Sequence, residues 1–163
     1  MPEFFRKAKY AIGSHLFSAD DIEHGILRGN IRPRFSFLRP FGLRDQRRAM
    51  ILIPADPRIH FALVCGSRSC APIDYYDVDR VYDQLEAAAK SFVNSSEVLV
   101  LPEERKMFVS QIFRWYESDF GGRTGMIDFI FDYLVDETAR RFIQEHYTDL
   151  GIEYLHYDWN LNR

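Results

Sequence analysis

The sequence predicts an α+β fold, a single domain over residues 1–163 with a small mixed or antiparallel sheet packed by about five helices. Three observations carry this. Stretches with helical spacing and stretches with strand spacing are mixed along the chain without regular β-α alternation. A length of 163 residues suits one core. Aromatic side chains make up 15% of the chain, and because each ring can bury roughly 150–250 Å² that core needs no staples.

The elements follow in order. Tyr10–Ile12 and His15–Phe17 flank Gly13-Ser14 and predict a hairpin. Ser18 followed by Asp21 reads as a capping box with Asp in place of Glu, so a helix is expected from Ala19 to about Arg28, ended by Gly29-Asn30. Residues 30–48 are punctuated by Pro33, Pro40 and Gly42, and their Phe35, Phe37, Leu38 and Phe41 are expected to pin the loop to the body. Ile59 to Cys65, an apolar run after Asp56-Pro57, is expected to be a buried strand. Val81, Leu85, Ala88 and Phe92 recur at helical spacing and predict a helix from about Val78 to Val93. Val98–Leu101 and Lys106–Val109 pair naturally as a second hairpin. Ser110 can cap a helix through Tyr116, and Gly121-Gly122 breaks the chain before an apolar helix from Met126 to Leu134. A helix from Asp136 to about Tyr147 and a strand from Ile152 to Tyr157 complete the set.

No apolar run approaches the roughly 18 residues that a membrane-spanning helix needs. The start, Met1 to Arg6, lacks the basic-then-apolar pattern of a signal peptide. The expectation is a cytoplasmic chain, or a secreted or periplasmic one if a segment precedes Met1. Net charge is −3, but residues 1–48 hold 10 Lys/Arg against 5 Asp/Glu and residues 49–163 hold 11 against 19. Arginine-rich loops can hold phosphate or carboxylate, so Arg32, Arg34 and Arg39, joined by Arg68, are candidate ligand-binding residues. The competing reading is a solvated loop paired with the acidic remainder. No RNA-binding motif accompanies the arginines, and no nucleic acid or membrane is expected as a partner.

The chemistry concentrates between Asp56 and Ile73, which carries His60, Cys65 and Cys70. On a regular strand His60 and Cys65 would face opposite ways. The turn Gly66-Ser-Arg-Ser69 can instead fold Cys70 back towards His60. A thiol near an imidazole and Arg68 would have a lowered pKa, which makes Cys70 the candidate nucleophile. Three readings compete: a small buried hydrophobe at Cys65, a local Cys65–Cys70 disulfide, and a metal site on His60, Cys65 and Cys70 whose spacing matches no recognised zinc pattern. No metal and no other cofactor is expected. Glu23-His24 can supply a carboxylate beside an imidazole, as general-base systems require, or can be ordinary helix surface. The tail from Tyr157 to Asn162 is dense in hydrogen-bonding groups and is expected to pack back, as a structural lock or as a site wall.

Four segments together resemble the family catalogued as domain of unknown function 547, found in bacterial proteins and plant leucine-zipper-like proteins. They are Ser18 to Arg28 (SADDIEHGILR), Asp56 to Ile73 (DPRIHFALVCGSRSCAPI), Ser110 to Phe120 (SQIFRWYESDF) and Tyr157 to Asn162 (YDWNLN). The resemblance supplies a name without a reaction. Val64 stands where the family usually has Asn, and Ala71 where it has a second Pro. Family members begin with further helices upstream of the first hairpin. The resemblance therefore implies a shortened chain whose exposed apolar surface favours a homodimer or low stability.

Two functions follow as expectations. One is a non-catalytic domain that binds a protein, a peptide or an anionic ligand, with a polar site around His60 and Cys70. The other is a thiol-dependent hydrolase or acyl-transferase with Cys70 as nucleophile, His60 or His24 as base, and Glu23 or Asp158 as the orienting group.

Overall fold

Lys9–Ile12 (β1) and His15–Ser18 (β2) pair antiparallel across Gly13-Ser14, whose glycine has φ +59°, as the sequence predicts. A short helix, Pro2–Lys7 (α1), precedes them. The structure, a computed structural model, describes residues 2–33 and 36–162. The chain divides into two compact units, Met1–Asp56 and Pro57–Arg163.

In the first unit the capping box forms reciprocally. The Ser18 N–H donates to Asp21 Oδ2 at 2.9 Å, and the Asp21 N–H to Ser18 Oγ at 3.0 Å. Aspartate thus does here what glutamate does in the usual box. The helix that follows widens over Asp21–Leu27 into a π-helix, where the Arg28 N–H closes on the carbonyl of Glu23 five residues back. Gly29 and Asn30, both at positive φ, end it where expected.

Of the four apolar residues expected to pin the following loop, Phe41 does so and Phe37 and Leu38 do not. Phe35, like Arg34, lies outside the described residues. The buried Asn30 amide brackets the Phe41 backbone, accepting from its N–H and donating to its carbonyl, both at 2.9 Å. The Phe41 ring lies against Gly25, where an added Cβ would be 2.4 Å from its nearest carbon. Arg47 closes the arrangement from the other side. It stacks 4.4 Å from the Phe41 ring, forks onto Asp45, and donates to Asp21 and to the Leu16 carbonyl. Phe37 and Leu38 are instead 94% and 78% exposed, on a turn held locally by the Ser36 hydroxyl.

The second unit begins with a correction. Residues predicted as a buried strand form a 3₁₀ turn, Pro57–Phe61, and leave it through irregular backbone towards Cys65. Proline is well suited to a helical first turn, where its missing N–H is no loss. The N–H groups of Ala62 and Leu63 both return to the Ile59 carbonyl at 3.0 Å. Ile59, His60 and Phe61 are buried in succession, a pattern that no half-exposed strand shows.

The helix Val81–Val93 (α2) packs on this turn, bringing Phe92 to 4.6 Å from the Phe61 ring. Val98–Leu101 (β3) and Lys106–Val109 (β4) form the predicted antiparallel hairpin, and Gly151–Tyr154 (β5) adds in parallel to β4. The three-stranded sheet is therefore mixed, and the α+β class stands. Gln111–Trp115 (α3), a 3₁₀ turn Glu117–Phe120, Gly122–Tyr133 (α4) and Glu137–Glu145 (α5) complete the unit. Asp136 caps α5 through the N–H groups of Thr138 and Ala139. The core gathers Phe61, Phe92, Phe113 and Phe120 with Met107, Met126 and Ile130.

The glycines give a direct test of the Phe41 clamp. Gly25→Ala forces the clamped ring to move and costs about 1–3 kcal/mol. Gly42→Ala, with nothing within 4 Å of its Cβ, stays within about 0.5 kcal/mol of the parent. Urea denaturation of both variants measures the difference.

Candidate functional site

Gly66, at φ +79°, turns the chain between the two cysteines, and the Cys70 N–H closes the turn on the Ser67 carbonyl at 3.2 Å. The tail then binds this turn along its length. The Asn162 N–H donates to the Gly66 carbonyl and the Arg68 N–H to the Asn160 carbonyl, both at 2.9 Å, around an antiparallel bridge between Ser67 and Leu161. Further along, the Asp158 N–H donates to Ser69 Oγ at 3.0 Å. The tail packs back as expected, and it lands on the cysteine turn.

The two sulfurs have different environments. Cys65 Sγ lies 3.1 Å from Ser67 Oγ and 3.4 Å from the Tyr157 hydroxyl, and Ser67 Oγ donates to that hydroxyl at 2.9 Å. Cys70 Sγ accepts the Cys65 N–H at 3.1 Å and directs its own S–H to the Leu63 carbonyl at 3.8 Å. Both thiols are free and half-buried.

These contacts set the acidities. Burial acts to raise the Cys65 thiol, but hydrogen bonds from the Ser67 hydroxyl, the Tyr157 hydroxyl and the Ser67 N–H outweigh it, and the thiol falls below its usual value. With the Ser67 proton given to Tyr157, the Tyr157 hydroxyl is free to turn its own proton to sulfur when the thiolate forms. Burial dominates at Cys70 and pushes its thiol up, with the Cys65 charge adding to the rise. Tyr157 is itself pushed up, by burial and by its neighbour Cys65, so it keeps its proton when the sulfur has lost its own.

His60 is engaged elsewhere than at the sulfurs. Its Nε2–H donates to Asp119 Oδ2 at 2.9 Å, with both side chains 1% exposed. Its ring stacks on Tyr116 at 3.8 Å. Among the described residues no imidazole hydrogen-bonds Cys65 or Cys70. The strand geometry that favoured Cys70 over Cys65 is absent, and hydrogen bonding ranks the thiols in the opposite order. Asp119 was not singled out from the sequence. It shares the stretch between Tyr116 and Phe120 with Glu117, and nothing in the spacing separates the two acids.

Asp158 holds the tail in shape. Its Oδ1 accepts from the Asn160 N–H at 2.9 Å, and the Arg68 guanidinium lies 3.7 Å from Oδ2. The Asn160 N–H, ahead of Arg68, keeps this carboxyl below the usual range. Beside it, Trp115 stacks on Trp159 at 5.4 Å and meets Tyr157 at 4.8 Å.

In the first unit, His24 Nδ1 takes a hydrogen bond from Arg28 at 2.8 Å and lies 3.6 Å from Glu23 Oε1. The two contacts make opposite demands on that nitrogen. A guanidinium only donates, so in the shorter contact Nδ1 is the acceptor. Arg32 and Arg39 are exposed, and Arg39 reaches the Asn30 carbonyl at 3.5 Å. Among the described residues, no three His, Cys, Asp or Glu side chains converge as metal ligands, and no helix is long and apolar enough to cross a membrane.

Fold and site together define an α+β protein with a dithiol turn clamped by its own C-terminal segment. The chain belongs to the family described as "Protein of unknown function, DUF547", which matches residues 1–93. Two of the four resembling segments, Ser18 to Arg28 and Asp56 to Ile73, lie inside that match. No curated protein and no solved structure matches the chain.

The His60–Asp119 pair yields a stability prediction. Asp119→Ala removes the acceptor at 2.9 Å from the buried His60 Nε2 and costs about 1–3 kcal/mol. Asp119→Asn keeps an accepting oxygen and costs less. Urea denaturation of the two variants gives the ordering.

Proposed function

We propose that the protein works through the Cys65 thiol, as the nucleophile of thiol-dependent transfer chemistry of the hydrolase or acyl-transferase kind. The observation that carries this is the pair of hydroxyls, Ser67 and Tyr157, at 3.1 and 3.4 Å from Cys65 Sγ. A thiolate stabilised in the resting state needs no base within reach at the moment of attack, which suits a sulfur without an imidazole partner. The sulfur bonds to an acyl carbon as the leaving group departs. Water, or a second nucleophile, then releases the acyl group and restores the thiol. Cys70, protonated and facing the Leu63 carbonyl, supports the turn through its contact with the Cys65 N–H.

Alkylation tests this directly. At about pH 6, where an ordinary thiol is almost wholly protonated, iodoacetamide labels Cys65 at least about tenfold faster than Cys70, as counted by peptide mass spectrometry. Tyr157→Phe removes a donor to sulfur, so the thiolate is less stable, the Cys65 pKa rises and labelling at that pH slows. Labelling of Cys70 first, or of both at one rate, would sink the proposal.

A second reading, a non-catalytic module that binds a protein, a peptide or an anionic ligand, has its own support. Phe37, Leu38 and Leu43 are largely exposed on the loop that carries Arg39 and Arg44. Apolar contact next to cationic groups suits an anionic peptide surface. On this reading, substitution of Arg32 and Arg39 by Ala weakens capture of an acidic peptide, and added salt weakens it in the parent chain. Binding that ignores both salt and the substitutions speaks against it.

A further inference from the structure

The cysteine turn holds a second sulfur whose chemistry the acyl-transfer reading does not use. The 3.1 Å contact between the Cys65 N–H and Cys70 Sγ keeps Cys70 Sγ within about 4.6 Å of Cys65 Cα by covalent geometry alone. Gly66 and the Ser67–Cys70 turn fix that approach, and the tail braces the turn at Gly66, Arg68 and Ser69. The sulfurs are also differentiated. One is surrounded by hydroxyl groups, and the other gives its proton to a carbonyl. Both residues are half-buried.

We propose that Cys65 and Cys70 form a hydroperoxide-reducing pair, in which Cys65 is the attacking sulfur and Cys70 the one that resolves it. This rests on the reading of Cys65 as the activated thiol and adds a substrate class for it. The Cys65 thiolate attacks the terminal oxygen of a hydroperoxide. An S–O bond forms, the O–O bond breaks, and the departing alkoxide or hydroxide is protonated to alcohol or water. Cys65 is now a sulfenic acid. The Cys70 sulfur, losing its proton, displaces the sulfenic oxygen as water and closes the Cys65–Cys70 disulfide. Two thiols are oxidised by two electrons, and one hydroperoxide is reduced by two. A dithiol reductant restores the pair.

Each remaining group has a role in that sequence. Tyr157 and Ser67 steady the attacking thiolate. The short Gly-Ser-Arg-Ser connection keeps the resolving sulfur beside the sulfenic acid, so that condensation outruns further oxidation. Among the described residues no imidazole hydrogen-bonds either sulfur, and hydroperoxide chemistry, like the activated thiolate itself, has no need of one.

The test uses the whole chain and hydrogen peroxide, with intact and peptide mass spectrometry. The parent is expected to lose two hydrogens and to give a cross-linked Cys65–Cys70 peptide, reversed by dithiothreitol. Cys70→Ser is expected to stop at the sulfenic acid, trapped on Cys65 by dimedone, and then to pass to the sulfinic acid. Cys65→Ser is expected to leave Cys70 reduced over the same time. If Cys65 alkylates fast at about pH 6 while peroxide gives no intramolecular disulfide in the parent, the pair proposal fails and the activated thiol survives. If dimedone marks Cys70 in Cys65→Ser as fast as Cys65 in Cys70→Ser, the assignment of roles fails. If neither fast alkylation nor oxidation occurs at Cys65, both readings fall together.

Discussion

Much of the site depends on the hydrogen bond that Ser67 gives to the Tyr157 hydroxyl at 2.9 Å. It joins residues 90 positions apart and closes the tail over the cysteine turn. A hydroxyl pair buried this far from water must be satisfied internally or cost roughly 1–3 kcal/mol, and each hydroxyl also meets the Cys65 sulfur. The tail is therefore held by the same network that lowers the thiol. Backbone bonds from Arg68 and Asn162 give the tail its register, and the Trp115–Trp159 stack shields one side. Loss of the tail would remove the donor to sulfur as well as the packing.

The second buried polar pair, His60 and Asp119, serves a different purpose. Its side chains are almost wholly enclosed, among the rings of Tyr116 and Phe120. Enclosed polar pairs of this kind seldom add net stability, yet removing one partner is costly. The pair thus fixes how the Pro57–Phe61 turn sits against the Glu117–Phe120 turn. Cys65, a few residues beyond the first of these, inherits a rigid anchor.

Locally determined features were legible in the sequence. The two hairpins, the Ser18–Asp21 box and the Gly29-Asn30 stop depend on residues a few positions apart, and spacing reveals them. The segment Ile59 to Cys65 was misread because a short apolar run gives no period that separates strand from enclosed turn. The preference for Cys70 rested on strand alternation, which this segment does not have. The contacts that rank the thiols come from Tyr157, 92 positions from Cys65, and His60 finds Asp119 at a separation of 59. No spacing rule reaches that far. Phe41 differs from Phe37 for a related reason, because its slot is made by Gly25 and Asn30 on another element.

The central claim is that the hydroxyl cradle makes Cys65 the more acidic of two neighbouring thiols. Titration of thiolate absorbance in the ultraviolet, on Cys70→Ser and Cys65→Ser chains in turn, reads each sulfur separately. Cys65 is expected to ionise below the ordinary thiol value of about 8.5 and Cys70 above it, with Tyr157→Phe raising the first more than the second. A Cys65 that titrates at or above Cys70 would contradict it.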